Sequence, residues 1–213
     1  MESRTTKIYS ETNGNVVLRV IKGHFATSHS HVNYFVDMTT LKSRQAEAKA
    51  AAEILARKYA STTYVDTIVC MDGCEVIGAY LAESLTKVGI MSLNMHNTIY
   101  VVTPEARNDG QLIFRDNMQF MIKGKHVILL TANATTGRTV SRALECIQYY
   151  DGKIEGISAI FSAVSSTENV EVNAIFGPKD ISDYESYEAS KCPQCKAKVK
   201  LDAIINSYGY SKL

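Results

Sequence analysis

The sequence predicts an α/β fold, a mostly parallel sheet flanked by helices. Two observations carry it. From residue 67 onward, short apolar segments alternate with longer helical segments, the pattern of βαβ units whose sheet is covered on both faces. Within residues 139–150, Val140, Ala143, Leu144 and Ile147 recur at the i, i+3, i+4, i+7 spacing of a helix packed on one side. A chain of 213 residues, 46% hydrophobic and 21% charged, suits one main globular module with a short appendage.

The elements follow in order. Residues 7–10 and 16–21 flank ETNGN, whose Asn13-Gly14 pair is a strong hairpin signal. SRQAEAKAAAEILARKYA, residues 43–60, predicts one helix capped by Ser43, with Ala48, Ala52, Leu55 and Tyr59 on its packed face. Strands are expected at 67–70, 90–93, 98–102, 127–130, 157–163 and 170–176, and helices at 75–87 and 139–150. Tyr184 and Tyr187 are expected to pack on the domain. LDAIINSYGYSKL, residues 201–213, reads as a short docking helix followed by an irregular tail. In such sheets ligands sit beyond the carboxyl ends of the strands at a topological switch point, so the loops after Cys70, Val102 and Leu130 matter most.

Composition excludes several function classes. A net charge of +1 gives no electrostatic case for nucleic-acid binding. No apolar run approaches the roughly 20 residues that span a bilayer, and the polar start lacks a signal-peptide core, so a cytoplasmic protein is expected. Ser211–Leu213, SKL, reads as a peroxisomal address only in a eukaryotic cell. Five cysteines, an odd number, make no disulfide framework; Cys70, Cys74 and Cys146 read as packed thiols.

The loop in VILLTANATTGRT carries the chemistry. Thr135, Thr136, Gly137, Arg138 and Thr139 join an apolar strand to a helix, so free amides, hydroxyls and a guanidinium meet at a helix N-terminus. That is an anion site; an ordinary threonine-capped turn is the competing reading. The stretch resembles the 5-phosphoribosyl 1-pyrophosphate (PRPP) loop of type I phosphoribosyltransferases, in which an apolar strand, two acidic residues and a Thr-Thr-Gly-x-Thr turn follow one another. Here Thr131 and Ala132 stand where the acids are expected, with Asn133 beside them.

Three further segments, in the family's order, are similar to the orotate branch. VDTIVCMDGCEVIGAYLAESL resembles the strand, pyrophosphate loop and helix, which places Asp72, Gly73, Cys74 and Glu75 in that loop. YVVTPEARNDGQLI resembles the mobile active-site loop, with Arg107 and Asp109 where a lysine and a histidine are expected. GHFATSHSHVNYFVDM resembles the N-terminal substrate segment, a hood over the site, with Tyr34 and Phe35 as base-contacting candidates. The resemblance spans residues 1–176 and leaves 177–213 as a C-terminal extension. It implies the type I phosphoribosyltransferase fold, PRPP and a pyrimidine base (orotate) as substrates, pyrophosphate release, Mg2+ brought in with PRPP, and a homodimer sharing its mobile loops. Arg107 and Asp109 are then the catalytic candidates, Thr135–Thr139 the phosphate cradle, and Thr131 and Asn133 the ribose contacts.

The missing acids weaken the case for turnover. Losing two charge-assisted contacts costs a few kcal/mol, on the order of a hundredfold in rate. Asp72 or Glu75 is a candidate to supply a carboxylate from the neighbouring loop, and reinstating acids at 131 and 132 is expected to raise activity. The alternative function is a protein that binds PRPP or a nucleotide on this fold without transferring it.

Cys192-Pro-Gln-Cys195 has the spacing by which two thiolates reach one Zn2+. Two more ligands are needed, from His24, His29, His31 or the same pair of a second subunit; a reduced surface turn is the other reading.

Overall fold

The computed structural model describes residues 2–87, 92–95, 97–135 and 137–213. Its elements are β1 (Thr5–Tyr9), β2 (Val17–Ala26), β3 (His31–Asp37), α1 (Thr39–Ser43), α2 (Gln45–Ala56), β4 (Thr67–Cys70), α3 (Glu75–Thr86), β5 (Tyr100–Val102), β6 (Glu105–Ala106), β7 (Leu112–Ile113), α4 (Asp116–Gln119), β8 (His126–Ala134), α5 (Arg138–Tyr149), β9 (Lys153–Ser162), β10 (Ser166–Thr167) and β11 (Val170–Phe176). The extension adds β12 (Ser186–Tyr187), α6 (Pro193–Lys196), β13 (Ala203–Asn206) and β14 (Gly209–Lys212).

The main sheet runs β10-β11-β9-β8-β4-β5, and every pairing in it is parallel except β10 with β11. Its central strands are buried on both faces, as the apolar runs TIVC and VILLTA require. The chain goes from β4 to β5 on one side, then returns to β8 on the other, so the switch point lies between β4 and β8. Val140, Ala143, Leu144 and Ile147 each keep 1% of their surface, which confirms the packed stripe of α5.

A second sheet forms the hood, in the order β12-β3-β2-β13-β14 with β1 beside β2. The hairpin expected around Asn13-Gly14 joins β1 to β2. Residues from the extension supply β12, β13 and β14, so the chain after residue 176 completes the sheet begun by the first 37 residues. The docking helix expected in 201–213 is instead the β13–β14 hairpin, because Ala203 and Ile204 pair with Phe25 and Ala26 at the open edge of β2.

Another expectation fails at Ser43. The chain breaks at Arg44 (φ −87, ψ 117), so Ser43 ends α1 rather than capping one long helix. Tertiary contacts override the helix formers there: Leu41 is fully buried, and Lys42 reaches across to the loop after β4. Ala48, Ala52 and Leu55 form the buried face of α2 as expected, but the helix ends at Ala56 and not near residue 60, and Tyr59 is buried in the turn that follows. Of the strand expected at 90–93, residues 90 and 91 lie outside the described residues, and Leu93 lies in a turn. Cys70, Cys74 and Cys146 are buried free thiols, and burial pushes the Cys146 thiol up to about 11. Among the described residues no helix is long and apolar enough to cross a membrane.

Candidate functional site

A cleft of about 300 Å³ opens between the two sheets at the switch point. One wall is the end of β8 and the start of α5: Ala132, Asn133, Thr135, Arg138 and Thr139 line it. Gly137 sits at the N-cap of α5 with φ 74, a left-handed conformation that suits glycine, and among the described residues no side chain caps the helix. The amides of the first turn of this helix therefore lack a side-chain cap, as an anion site requires. A Cβ at Gly137 would meet Thr167 Oγ1 at 3.2 Å, so the turn is tight on its outer side as well. Thr136 lies outside the described residues. Asn133 Oδ1 is buried with no hydrogen-bond partner among the described residues.

The loop after β4 forms the floor. Asp72 (φ 59) and Gly73 (φ 76) turn in succession through the left-handed region, and Asp72 lines the cleft. Thr131, buried within β8, donates from Oγ1 to Asp72 Oδ2 at 2.6 Å. A carboxylate thus stands beside Thr131 of β8, carried by the adjacent strand's loop. Glu75 points elsewhere, accepting from Thr103 Oγ1 at 2.9 Å. Cys74 is fully buried, and burial raises its thiol well above the ordinary range, so only its backbone faces the loop.

Lys42 is the feature that sequence reasoning missed. Its Nζ donates to the Asp72 and Ser207 carbonyls, both at 2.6 Å, and it lines the cleft. An ammonium has three donors, so one remains for a ligand. Nothing in a lone lysine near a helix start marks it; only the fold brings α1, the β4 loop and the β13–β14 turn together.

The hood supplies the remaining wall, with Thr27, Ser28, His29, Tyr34 and Phe35. Tyr34 donates its hydroxyl to Asp183 Oδ1 at 2.8 Å, and Lys22 Nζ lies 5.5 Å from its ring centre. Hydrogen bonds from Lys22 and Tyr34 hold the Asp183 carboxyl below its usual range. Phe35 is 4% exposed and its ring meets Tyr210 at 5.4 Å, so it belongs to the hood core although it borders the cleft. Tyr184 packs on Phe161 at 5.2 Å, as expected, and also borders the cleft.

Arg107 and Asp109 are not brought to this cleft. They occupy the exposed turn of the β6–β7 hairpin, beside Arg142, Glu145 and Tyr149 on the outer face of α5. Gln111 N donates to Asp109 Oδ1 at 3.0 Å, which commits that carboxylate to the turn.

A separate cluster joins β2, β3 and the segment around α6. The donor atoms of His24, His31, Cys192 and Cys195 all fall within 4.8 Å of one another. His24 Nε2 is 3.2 Å from His31 Nδ1, 3.4 Å from Cys192 Sγ and 3.6 Å from Cys195 Sγ, and Cys195 Sγ is 3.2 Å from His31 Nδ1. Of the three histidines the sequence offers, the fold selects two; His29 lines the cleft instead.

No family model matches the sequence, and no curated protein matches it. Solved structures do. The chain is similar to orotate phosphoribosyltransferase from Mycobacterium tuberculosis, 16% identical with a TM-score of 0.52, over 77% of this chain and 92% of that one. It is similar to orotate phosphoribosyltransferase from Aeropyrum pernix, 15% identical with a TM-score of 0.51, over 76% and 89% of the two chains. Leishmania donovani UMP synthase matches 84% of this chain with a TM-score of 0.55 and 14% identity, over 36% of its own length. At these identities the likeness is one of fold, and that fold is the type I phosphoribosyltransferase fold.

Proposed function

We propose that this protein transfers ribose 5-phosphate from PRPP to a pyrimidine base, orotate, with release of pyrophosphate. One observation carries the reading: the Asp72 carboxylate stands 2.6 Å from Thr131 Oγ1, at the same switch point as the phosphate cradle. The amides from Gly137 onward would take the 5-phosphate, and Thr131 and Asn133 the ribose hydroxyls. The unpartnered Asn133 Oδ1 supports that assignment, because a buried acceptor left unpaired costs about 1–3 kcal/mol until something donates to it.

Bond breaking at ribose C1 develops positive charge on the sugar and negative charge on the leaving pyrophosphate. Fixed charges placed for both ends are the main source of acceleration in such a step. Asp72 would face the sugar and Lys42 the anionic end, its spare N–H donating. Asp72 is also the group that fits the Mg2+ carried in with PRPP, a half-buried carboxylate at the cleft floor offering hard oxygen ligands. When bound, that ion would supply charge neutralisation at the pyrophosphate. Arg107 and Asp109 would act on the cleft of a second copy, since they lie outside their own; a homodimer is part of the proposal.

The absence of acids on β8 itself favours one alternative, a protein that holds PRPP without turning it over. Incubation with PRPP, Mg2+ and orotate separates the two. Stoichiometric pyrophosphate and loss of orotate support transfer, whereas saturable PRPP binding without pyrophosphate supports the binding protein. Failure to bind PRPP at all overturns both.

A further inference from the structure

We propose that His24, His31, Cys192 and Cys195 bind one Zn2+, and that this ion fastens the extension to the hood and thereby holds one wall of the cleft. The donor set is two thiols and two imidazoles, which selects zinc among the common divalent ions. A tetrahedral Zn2+ with Zn–S near 2.3 Å and Zn–N near 2.0–2.1 Å sets its donors roughly 3.3–3.8 Å apart. Four of the six donor separations run from 3.2 to 3.6 Å, and the other two lie within 4.8 Å. Cys–His pairs brought together for packing alone would not converge as four donors on a single point.

The surroundings are built for a ligand role. His24 is 2% exposed, and its other ring nitrogen, Nδ1, lies 3.0 Å from the Val199 carbonyl. Donation there fixes the tautomer that leaves the Nε2 lone pair facing the thiols. The backbone also turns to aim this ring. β2 and β3 slip register between Lys22 and Phe25, where three steps along β2 match two along β3, a β-bulge that redirects the Gly23–His24 pair. Gly23 is required there, since a Cβ would lie 2.4 Å from Asp202 Oδ2. That carboxylate in turn accepts from His24 N at 2.9 Å. On the other side, Pro193 opens the single turn of α6, which carries Cys192 and Cys195 on successive ends.

The position of the cluster gives the ion its consequence. Residues 192–202 lead directly into β13, which among the described residues pairs with β14 and, through Ala203↔Phe25 and Ile204↔Ala26, with β2. Two register pairs are a weak hold for a terminal hairpin. Yet Asn206, Ser207 and Gly209 at its turn line the cleft, and Ser207 accepts from Lys42. Zinc at the base of the hairpin would add a fixed link between that wall and β2.

The test is metal content and local protection, neither of which depends on what the cleft binds. Protein isolated without chelators or metal-affinity resin should carry about one zinc per chain by elemental analysis. Exchange for Co2+ should give the visible absorption of a tetrahedral site with thiolate ligands. Cys195→Ser, at the exposed edge, should lose the metal while keeping its far-ultraviolet circular dichroism, and Cys146→Ser should keep it. Protein that holds no zinc as isolated, and takes up none when reduced and supplied with Zn2+, overturns the site. Zinc removal should speed amide exchange across residues 199–213 by about tenfold or more; unchanged exchange there overturns the fastening role.

Discussion

Asp72→Asn removes one negative charge and little else. Asp72 sits at φ 59, in the left-handed region that Asn and Asp tolerate better than other non-glycine residues, so the substitution adds little strain to the turn. An alanine there would add a backbone cost of about 1–2 kcal/mol and confuse the result. The Asn Oδ1 still accepts from Thr131 Oγ1, so the link between the β4 loop and β8 survives in neutral form. A charge-assisted hydrogen bond is worth about 1.5–3 kcal/mol and a neutral one about 0.5–1.5, so each ligand contact to this carboxylate weakens by about 1–1.5 kcal/mol. That is roughly tenfold in PRPP affinity for a single contact, and more if Mg2+ also rests on Asp72. Calorimetric titration with PRPP in the presence and absence of Mg2+ reads the change directly. The melting temperature should move by no more than a few degrees, since the loop stays intact. Affinity and turnover both within twofold of the parent chain would remove Asp72 from the site and, with it, the argument that the neighbouring loop replaces the missing acids.

Other perturbations reach different parts of the molecule. Gly137→Val forces a β-branched residue into φ 74 against Thr167, and is expected to abolish the thermal shift produced by PRPP while circular dichroism is retained; an undiminished shift would take the turn out of phosphate binding. Glu47→Gln takes a buried carboxylate from Arg19 and Arg44, and should cost about 1–3 kcal/mol, seen by calorimetry as a melting temperature several degrees lower. Arg107→Ala should lower turnover with little effect on PRPP affinity, because Arg107 lies outside its own cleft. Mixing that variant with Asp72→Asn should restore part of the activity if the loop serves a second copy, and no restoration would confine each site to one chain.

The sequence made the main sheet legible because its signals there are local. Apolar runs, the stripe on α5 and the Thr-Gly turn each fit within a dozen residues, so pattern alone sets them. The closure of the hood was not legible, because its sheet is assembled from residues far apart in the chain. Arg4 meets Asp202, Lys22 meets Asp183, and Phe25 pairs with Ala203, contacts that no window of sequence contains. The hairpin at β13–β14 was misread as a helix because its partner edge lies at the other end of the chain. Lys42 went unnoticed for the same cause, since its role depends on Asp72 and Ser207 converging on it. Cys192 and Cys195 were visible as a pair, and His24 and His31 only as two among three choices, until the bulge in β2 aimed one ring at the thiols.

The structure also reverses an expectation about the acids. From sequence, Thr131→Glu with Ala132→Asp looks like a repair that should raise activity. In the fold both positions are buried in β8, 1% and 4% exposed, and residue 131 already touches the Asp72 carboxylate. Two like charges about 4 Å apart repel by roughly 4 kcal/mol at the effective dielectric of a protein surface, and burial adds desolvation to that. The double variant should therefore melt lower and turn over less than the parent chain. Adding Asp72→Asn removes one of the competing charges and should recover part of both losses, a reversal that a purely steric defect would not show. If the double variant alone gains activity, the two carboxylate sources are compatible, and Asp72 has not taken over the role of the pair.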